Sequence, residues 1–446
     1  MAIGIKRPAR IFYGWWILGA GFVANSLLSA TTSYGTSLFL GPLIAEFGWS
    51  RTAAAAALSF ARVESGLTGP FEGVLVDRWG PRKAMLLGIP IAALGFFMWS
   101  QISAIAAFTG IDVLLVFYFV YVAFCAFGAS LGSATAINVA VVNWFVRRRG
   151  LAMGFINAGH GFGAAVWVPV LAFLIQEYGW RWAVGIQGAA VLLIGIPAAL
   201  VMRHRPEQYG MRPDGDPPDD HLSAGATAAP ADRHGSTRRA SSSNEPEFTL
   251  RQALRTTTFW CLAGSFALRV MATNAVQVHL VLLLVQIGME PLAAAGALAG
   301  VAGLSVPGRF GMGWLGDLFD RRAIYIVALV ALIIGLFILA VADQPWQIIP
   351  FLILYAPAYG GLASLPGALR ADFFGRRNFG AISGAMAPAQ TFGTVTGPLF
   401  AGFIYDTTGG YKPAMLTFVA LCTVSLVLML MARRPKAPTL ETPLAD

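Results

Sequence analysis

Gly73-Val-Leu-Val-Asp77-Arg78-Trp-Gly80-Pro-Arg82-Lys83 and Gly313-Trp-Leu-Gly-Asp317-Leu-Phe-Asp320-Arg321-Arg322 are two versions of one phrase, 240 residues apart from Gly73 to Gly313. Each closes one long apolar run and opens onto another, so a charged turn recurs at one fixed point in each half of the chain. A second pair repeats at an offset of 230, from Gly150 to Gly380: Trp144-Phe145-Val-Arg147-Arg148-Arg149-Gly150-Leu-Ala-Met-Gly154 and Phe374-Gly-Arg376-Arg377-Asn-Phe-Gly380-Ala-Ile-Ser-Gly384. The chain therefore reads as a duplication. Its first half spends more residues between the two motifs, expected in the connection from helix 3 to helix 4 and in an extended helix 4.

The runs themselves place the chain in a bilayer. Of 446 residues, 57% are hydrophobic and 12% charged, with a mean hydropathy of +0.66, which is too apolar for an ordinary soluble protein. A spanning helix needs roughly 20 apolar residues, because only a helix satisfies its own backbone groups in hydrocarbon. Twelve segments qualify, at about 13–41, 52–76, 84–104, 112–142, 150–176, 181–202, 256–287, 291–316, 322–342, 346–369, 380–404 and 411–432.

A net charge of +9 raises the question of nucleic acid, but the basic residues alternate by loop. One side holds Lys6, Arg7, Arg10, Arg78, Arg82, Lys83, Arg147, Arg148, Arg149, Arg321, Arg322, Arg370, Arg376, Arg377, Arg433, Arg434 and Lys436; the other holds only Arg51, Arg181 and Lys412. The positive-inside rule then puts both termini in the cytoplasm and excludes nucleic acid as the partner. The first helix has neither the short apolar region nor the cleavage site of a signal peptide, so it is expected to stay as an anchor. Cys125, Cys261 and Cys422 fall inside different apolar segments and read as packing residues, with neither a disulfide framework nor a metal cluster. Residues 203–250 turn to Pro, Asp, Ser, Gly and Arg, the composition of a flexible cytoplasmic linker. The expected organisation is an N-terminal six-helix bundle over 1–202, that linker, a C-terminal six-helix bundle over 251–434, and a cytoplasmic tail over 435–446.

These residues support a resemblance. Gly73-x-x-x-Asp77-Arg78-x-Gly80-x-Arg82-Lys83 resembles the helix 2–3 signature of the major facilitator superfamily, over nearly the whole chain. The resemblance implies an all-α membrane protein with 12 transmembrane helices in two pseudo-symmetric six-helix bundles and a substrate held between them near the midplane. In that family the loop is a conformational latch, which makes Asp77, Arg78, Arg82, Asp317 and Arg321 gating candidates. The motif from Trp144 to Gly159 resembles the helix 4–5 signature of the monocarboxylate transporters and oxalate/formate antiporters, and Tyr13-Gly14-Trp15-Trp16 is placed like their first-helix motif. That branch implies a monomeric inner-membrane secondary transporter without cofactor. It would move a small organic anion, a monocarboxylate such as lactate or pyruvate, by proton symport or anion exchange.

Three basic residues remain once the loops are counted: Arg62, Arg269 and Arg309. A charge at the bilayer centre costs at least about 2.5–3.5 kcal/mol on insertion scales, so each needs a cavity or a partner. At about 1.5 Å per residue, Arg309 lies roughly 12 Å from Asp317, Arg62 about 22 Å from Asp77 and Arg269 about 20 Å from Thr256, depths from which none can readily snorkel. Val306-Pro307-Gly308-Arg309-x-x-x-Gly313 resembles the helix 8 segment whose Arg binds carboxylate in this family, and a guanidinium fork suits a carboxylate. Animal members carry Asp where this chain has Ser305, and the family lysines of helices 1 and 11 are missing here. Their proton mechanism and their pairing of two cations on a dicarboxylate therefore do not carry over.

Glu64 reads as the deepest acid, a proton carrier or a counter-ion; Arg62 points about 200° away from it on the helix. Arg62 joins Glu64 as a proton-coupling candidate because the two could belong to one buried charge system. His160, about 15 Å into helix 5, is a third such candidate, and His279 a weaker one. Tyr121, Asn138, Asn274, Tyr355 and Tyr359 join Arg309 and Arg269 as substrate-binding candidates, with Asn25, Tyr34, Tyr118, Gln277 and Gln390 as further pocket residues. For each the alternative is interhelix packing or an interfacial aromatic. An exporter of drugs or other metabolites would favour a deep acid over three deep arginines, a non-transporting sensor would need a signalling domain, and no nucleotide-binding, zinc or nucleophile motif points to an enzyme.

Overall fold

The computed structural model describes residues 12–29, 31, 36–216 and 247–435. Lys6, Arg7, Arg10, Tyr34, Lys436 and the middle of the 203–250 segment lie outside the described residues. The N-terminal half runs α1 (Gly14–Ser29), α2 (Thr36–Phe47), α3 (Arg51–Trp79), α4 (Pro81–Ser100), α5 (Ile102–Thr109), α6 (Val113–Val120), a π-turn (Tyr121–Ala126), α7 (Phe127–Gly132), α8 (Ala134–Trp144), α9 (Arg149–Tyr178) and α10 (Trp180–Val201). The C-terminal half runs α11 (Leu250–Leu254), α12 (Thr257–Gln286), α13 (Pro291–Leu318), α14 (Arg321–Ala340), α15 (Ile348–Phe374), α16 (Phe379–Thr408) and α17 (Lys412–Met431). The described residues contain no strand.

Each predicted apolar segment falls on one of these helices or on a run of them. The run expected at 112–142 is broken: α6 gives way to the π-turn, and Ser133 leaves helical geometry between α7 and α8. The ten extra residues of the first half are shared between the connection, 101–112 against 341–347, where α5 ends on left-handed Gly110, and the broken run that follows, 113–144 against 348–374. By length and composition, eight runs among the described residues are apolar enough to cross a bilayer, α4, α9, α12, α14 and α17 among them. The helices α3 and α16 are not among these eight; α3 carries Arg62, Glu64 and Glu72, and α16 is rich in Gly and Thr.

Two apolar cores form, one centred in each half, with Ala371 and Phe379 of the second half joining the first. Trp99, Phe117, Tyr121 and Trp144 anchor the first, and Phe266, Tyr325, Phe351 and Tyr355 the second. The halves meet where α3 lies along α16 and α9 along α13. Glycines allow both approaches: a Cβ on Gly380 would sit 2.6 Å from the Gly73 carbonyl oxygen, and one on Gly313 2.5 Å from that of Gly150. The glycines of the two repeated motifs thus face each other across the two halves.

Two placements correct the sequence reading. Arg370, counted with the basic region after helix 10, lies within α15; its Nε donates to Pro366 O at 3.0 Å, and its guanidinium sits over Phe266 and Phe379. Arg149, counted as a loop charge, is fully buried and pairs with Asp372 at 3.0 Å. Both ends of the 203–250 segment dock. Arg203 stacks on Tyr13 and Tyr209, Asp214 accepts from Val146 N and Arg147 N, and Phe248 bonds to Phe374 O and Asn378.

Candidate functional site

The two repeated aspartates cap helices of the opposite half. Asp77, in the last turn of α3, accepts from Gly380 N at 2.9 Å and Ala381 N at 2.7 Å, the first turn of α16. Asp317, in the last turn of α13, accepts from Gly150 N at 2.7 Å and Leu151 N at 2.8 Å, the first turn of α9. Neither α9 nor α16 has a side-chain cap from its own N-cap residue. A carboxylate at a helix N-terminus meets orphan N–H groups and the positive end of the dipole, so each half completes a helix of the other.

The second cap is reinforced. Arg321 pairs with Asp317 at 2.8 Å and with Asp372 at 2.7 Å, and Asp372 also takes Arg149. Arg321 further donates to Val146 O. On the Asp77 side the cross-half bonds are peripheral, from Arg376 to Glu207 and Asn143 O and from Arg205 to Arg377 O. Arg78 and Arg82 are exposed and make no ion pair among the described residues. Of the five gating candidates, Asp77, Asp317 and Arg321 bond across the two halves.

Beyond this closed end lies a cavity of about 420 Å³ with walls from both halves. Asn25, Arg62, Tyr121 and His160 line it from the first half, and Asn274, Thr391 and Thr394 from the second. Asn25 Nδ2 ties α1 to α9, donating to Ile156 O at 2.8 Å and lying 3.1 Å from His160 Nδ1. Among the described residues the wall holds one guanidinium, one imidazole, hydroxyls and amides, and no carboxylate.

The other candidates sit off this wall. Arg309 Nη1 donates to Asn157 O at 2.6 Å across the α9–α13 contact, and its buried Nε has no acceptor. Arg269 is buried in the second core, also with Nε unpaired. Tyr355 is buried, stacked on Tyr359 at 6.0 Å, and Tyr359 accepts from Gln277. Tyr118 donates to Ala53 O, and Asn138 lies on α8. Glu64 accepts from Thr68. His279 is held between Tyr411 and Pro398 O. Sequence reading missed Ser29, Ser65, Ser130, Ser133, Thr391 and Thr394 on the wall; small hydroxyl residues in apolar helices give almost no signal. It also missed Glu72 and Asp372.

The family model of the Major Facilitator Superfamily matches residues 22–311 and 304–446. The chain belongs to the major facilitator superfamily. Among curated superfamily relatives it is 26% identical to monocarboxylate transporter 12-B of Danio rerio, over 94% of this chain and 87% of that one. It is 24% identical to the oxalate:formate antiporter of Oxalobacter formigenes, over 95% and 93%, and 31% identical to monocarboxylate transporter 14 of Mus musculus over 48% of this chain and 40% of that protein. Its fold matches the superfamily transporter FucP in an outward conformation (TM-score 0.67, 16% identity, 94% and 99% covered) and the proton:xylose symporter XylE (TM-score 0.68, 14% identity, 96% and 98% covered). As a superfamily member it is a multi-pass membrane transporter of small molecules and not an enzyme.

Proposed function

We propose that this transporter moves a small organic anion, a monocarboxylate such as lactate or pyruvate, across the cytoplasmic membrane by alternating access, with proton symport or anion exchange. The carrying observation is the cavity wall: one exposed guanidinium among imidazole, hydroxyl and amide groups, without a carboxylate to neutralise it. Such a wall favours an anion and repels an organic cation. The relatives named as monocarboxylate transporters and as an oxalate:formate antiporter agree with it.

In this reading the described state is closed at its cytoplasmic end and receives substrate from outside, with twelve spans and both termini inside. Arg62 meets the carboxylate first, with Asn25, Tyr121 and Asn274 around it. Arg309 follows when α9 and α13 separate, because its guanidinium is held by only one backbone carbonyl and keeps a free Nε. Arg269, buried in the second core, becomes available only in a later state. The test is uptake of labelled lactate, pyruvate, formate and oxalate into proteoliposomes with and without a pH gradient. Uptake or exchange of at least one supports the reading. Transport of an organic cation with none of the four sinks it.

A further inference from the structure

Glu72 has no exposed surface, and no basic side chain pairs with it among the described residues. Its partners are hydroxyls. Ser130 donates to Oε2 at 2.7 Å, and Thr68 Oγ1 lies 3.1 Å from Oε1. The same Thr68 oxygen lies 2.9 Å from Glu64 Oε1 and 3.1 Å from the Glu64 carbonyl. The three residues stand at successive turns of α3, one hydroxyl between two carboxyls.

Counting hydrogens decides what this arrangement is. A threonine hydroxyl has one hydrogen to donate and lone pairs otherwise. It can satisfy one of the two carboxyl oxygens; the other faces a lone pair, an attractive contact only if that carboxyl carries a proton and donates it. Glu64 Oε2 is in addition buried without any donor, a costly state for an ionised oxygen. With one proton on Glu64, Glu64 donates to Thr68 and Thr68 to Glu72, both Glu72 oxygens have donors, and Glu64 Oε2 is left as a neutral carbonyl oxygen rather than an ionised one. We propose that Glu72 and Glu64, bridged by Thr68, form the site at which this transporter binds the proton it couples to substrate.

Access and consequence are both built in. Ser130 lines the cavity and bonds Glu72, and it lies 3.4 Å from Ser65, which lines the cavity too. A proton can therefore enter through these hydroxyls beside the bound anion. Glu72 also precedes Gly73, whose backbone is pressed against Gly380, and lies within two turns of Asp77. Loss of the proton leaves a second uncompensated charge beside the α3–α16 contact and favours its separation.

The helices around the site leave it without a competing cation. The π-turn brings Tyr121 and Cys125, α6 brings Tyr118, and α7 and α8 bring no titratable group. The titratable groups of α16 are Tyr405 and Asp406 at its far end, that of α2 is Glu46, paired with Arg181, and those of α4 are the exposed Arg82 and Lys83. On α3 itself Arg62 points into the cavity, Asp77 is held by α16 and Arg78 is exposed.

The proposal rests on the anion-transport reading for its coupling role, so two measurements separate them. In proteoliposomes, Glu64→Gln, a neutral isostere of the protonated acid, should keep exchange of labelled anion at equal pH within about two-fold of the wild type. It should lose at least ten-fold of the accumulation driven by a pH gradient. Retained accumulation, or accumulation driven by sodium at equal pH, overturns the proposal. In the purified protein, infrared difference spectra should show a protonated carboxyl band that Glu64→Gln removes; its absence at every pH overturns the proposal even if none of the anions is transported. Failure of wild-type exchange with the band present would instead overturn the anion reading alone.

Discussion

Arg62 matters because, among the described residues, it is the one guanidinium on the cavity wall and makes no ion pair. Hydrogen bonds to a charged group contribute about 1.5–3 kcal/mol, so Arg62→Gln should weaken anion binding roughly 10- to 100-fold. Arg62→Lys, which keeps the charge but loses the fork, should fall between. The check is the half-saturating concentration for counterflow in proteoliposomes, with unfolding temperature as the control for folding. Unchanged affinity in Arg62→Gln would remove Arg62 from the site and leave Arg309 to carry it. The sequence exposed Arg62 because an arginine deep in an apolar run needs an explanation. It hid Glu72, which counted along the helix lies only five residues from Asp77 and so shows no depth of its own. Depth counted along one helix says nothing about the neighbour that covers it, and here α7 covers Glu72 through Ser130.

At the scale of elements, the strap after α10 shows the same limit. Residues 203–216 read as linker by composition, yet Asn143 and Trp144 donate to the carbonyls of His204 and Arg203, and Asp214 caps the turn before α9. Pro, Gly and Asp suit a tight docked turn as well as a solvated chain, and composition cannot separate the two. The repeat was legible because close helix contact demands glycine at fixed spacing; Arg370 and Arg149 were misplaced because charges were used as markers of helix ends. The strap carries a pH prediction. Burial, and then the Arg205 charge, push the His204 pKa down from 6.5 to about 4, with Glu207 opposing. The unfolded chain therefore binds more protons between about pH 4 and 6.5. Stability is full above 6.5 and falls as the pH drops through that window. The unfolding temperature of the wild type should drop more from pH 7.5 to pH 5 than that of His204→Gln. Equal drops would mean that His204 titrates alike in both states.

For the whole molecule, the decisive feature is that the two caps are reciprocal: the first half caps α16 and the second half caps α9. If the halves rock as rigid bodies, both caps must break in the same movement. The two carboxylates act on different helices and share no partner, so their contributions to the closed state should add. Each cap is worth about 1–2 kcal/mol, so Asp77→Asn and Asp317→Asn should each shift the closed-to-open equilibrium by roughly 5- to 30-fold, and the double variant by the product. Asp317→Asn should be the larger, because it also strips a partner from the part-buried Arg321. Spin-label distances between Arg78→Cys and Arg377→Cys across the latched end report the populations directly. Multiplying shifts support a rigid rocking motion. A double variant no more open than the stronger single would mean that one side hinges apart while the other stays capped, and the pseudo-symmetric sequence would then encode an asymmetric gate.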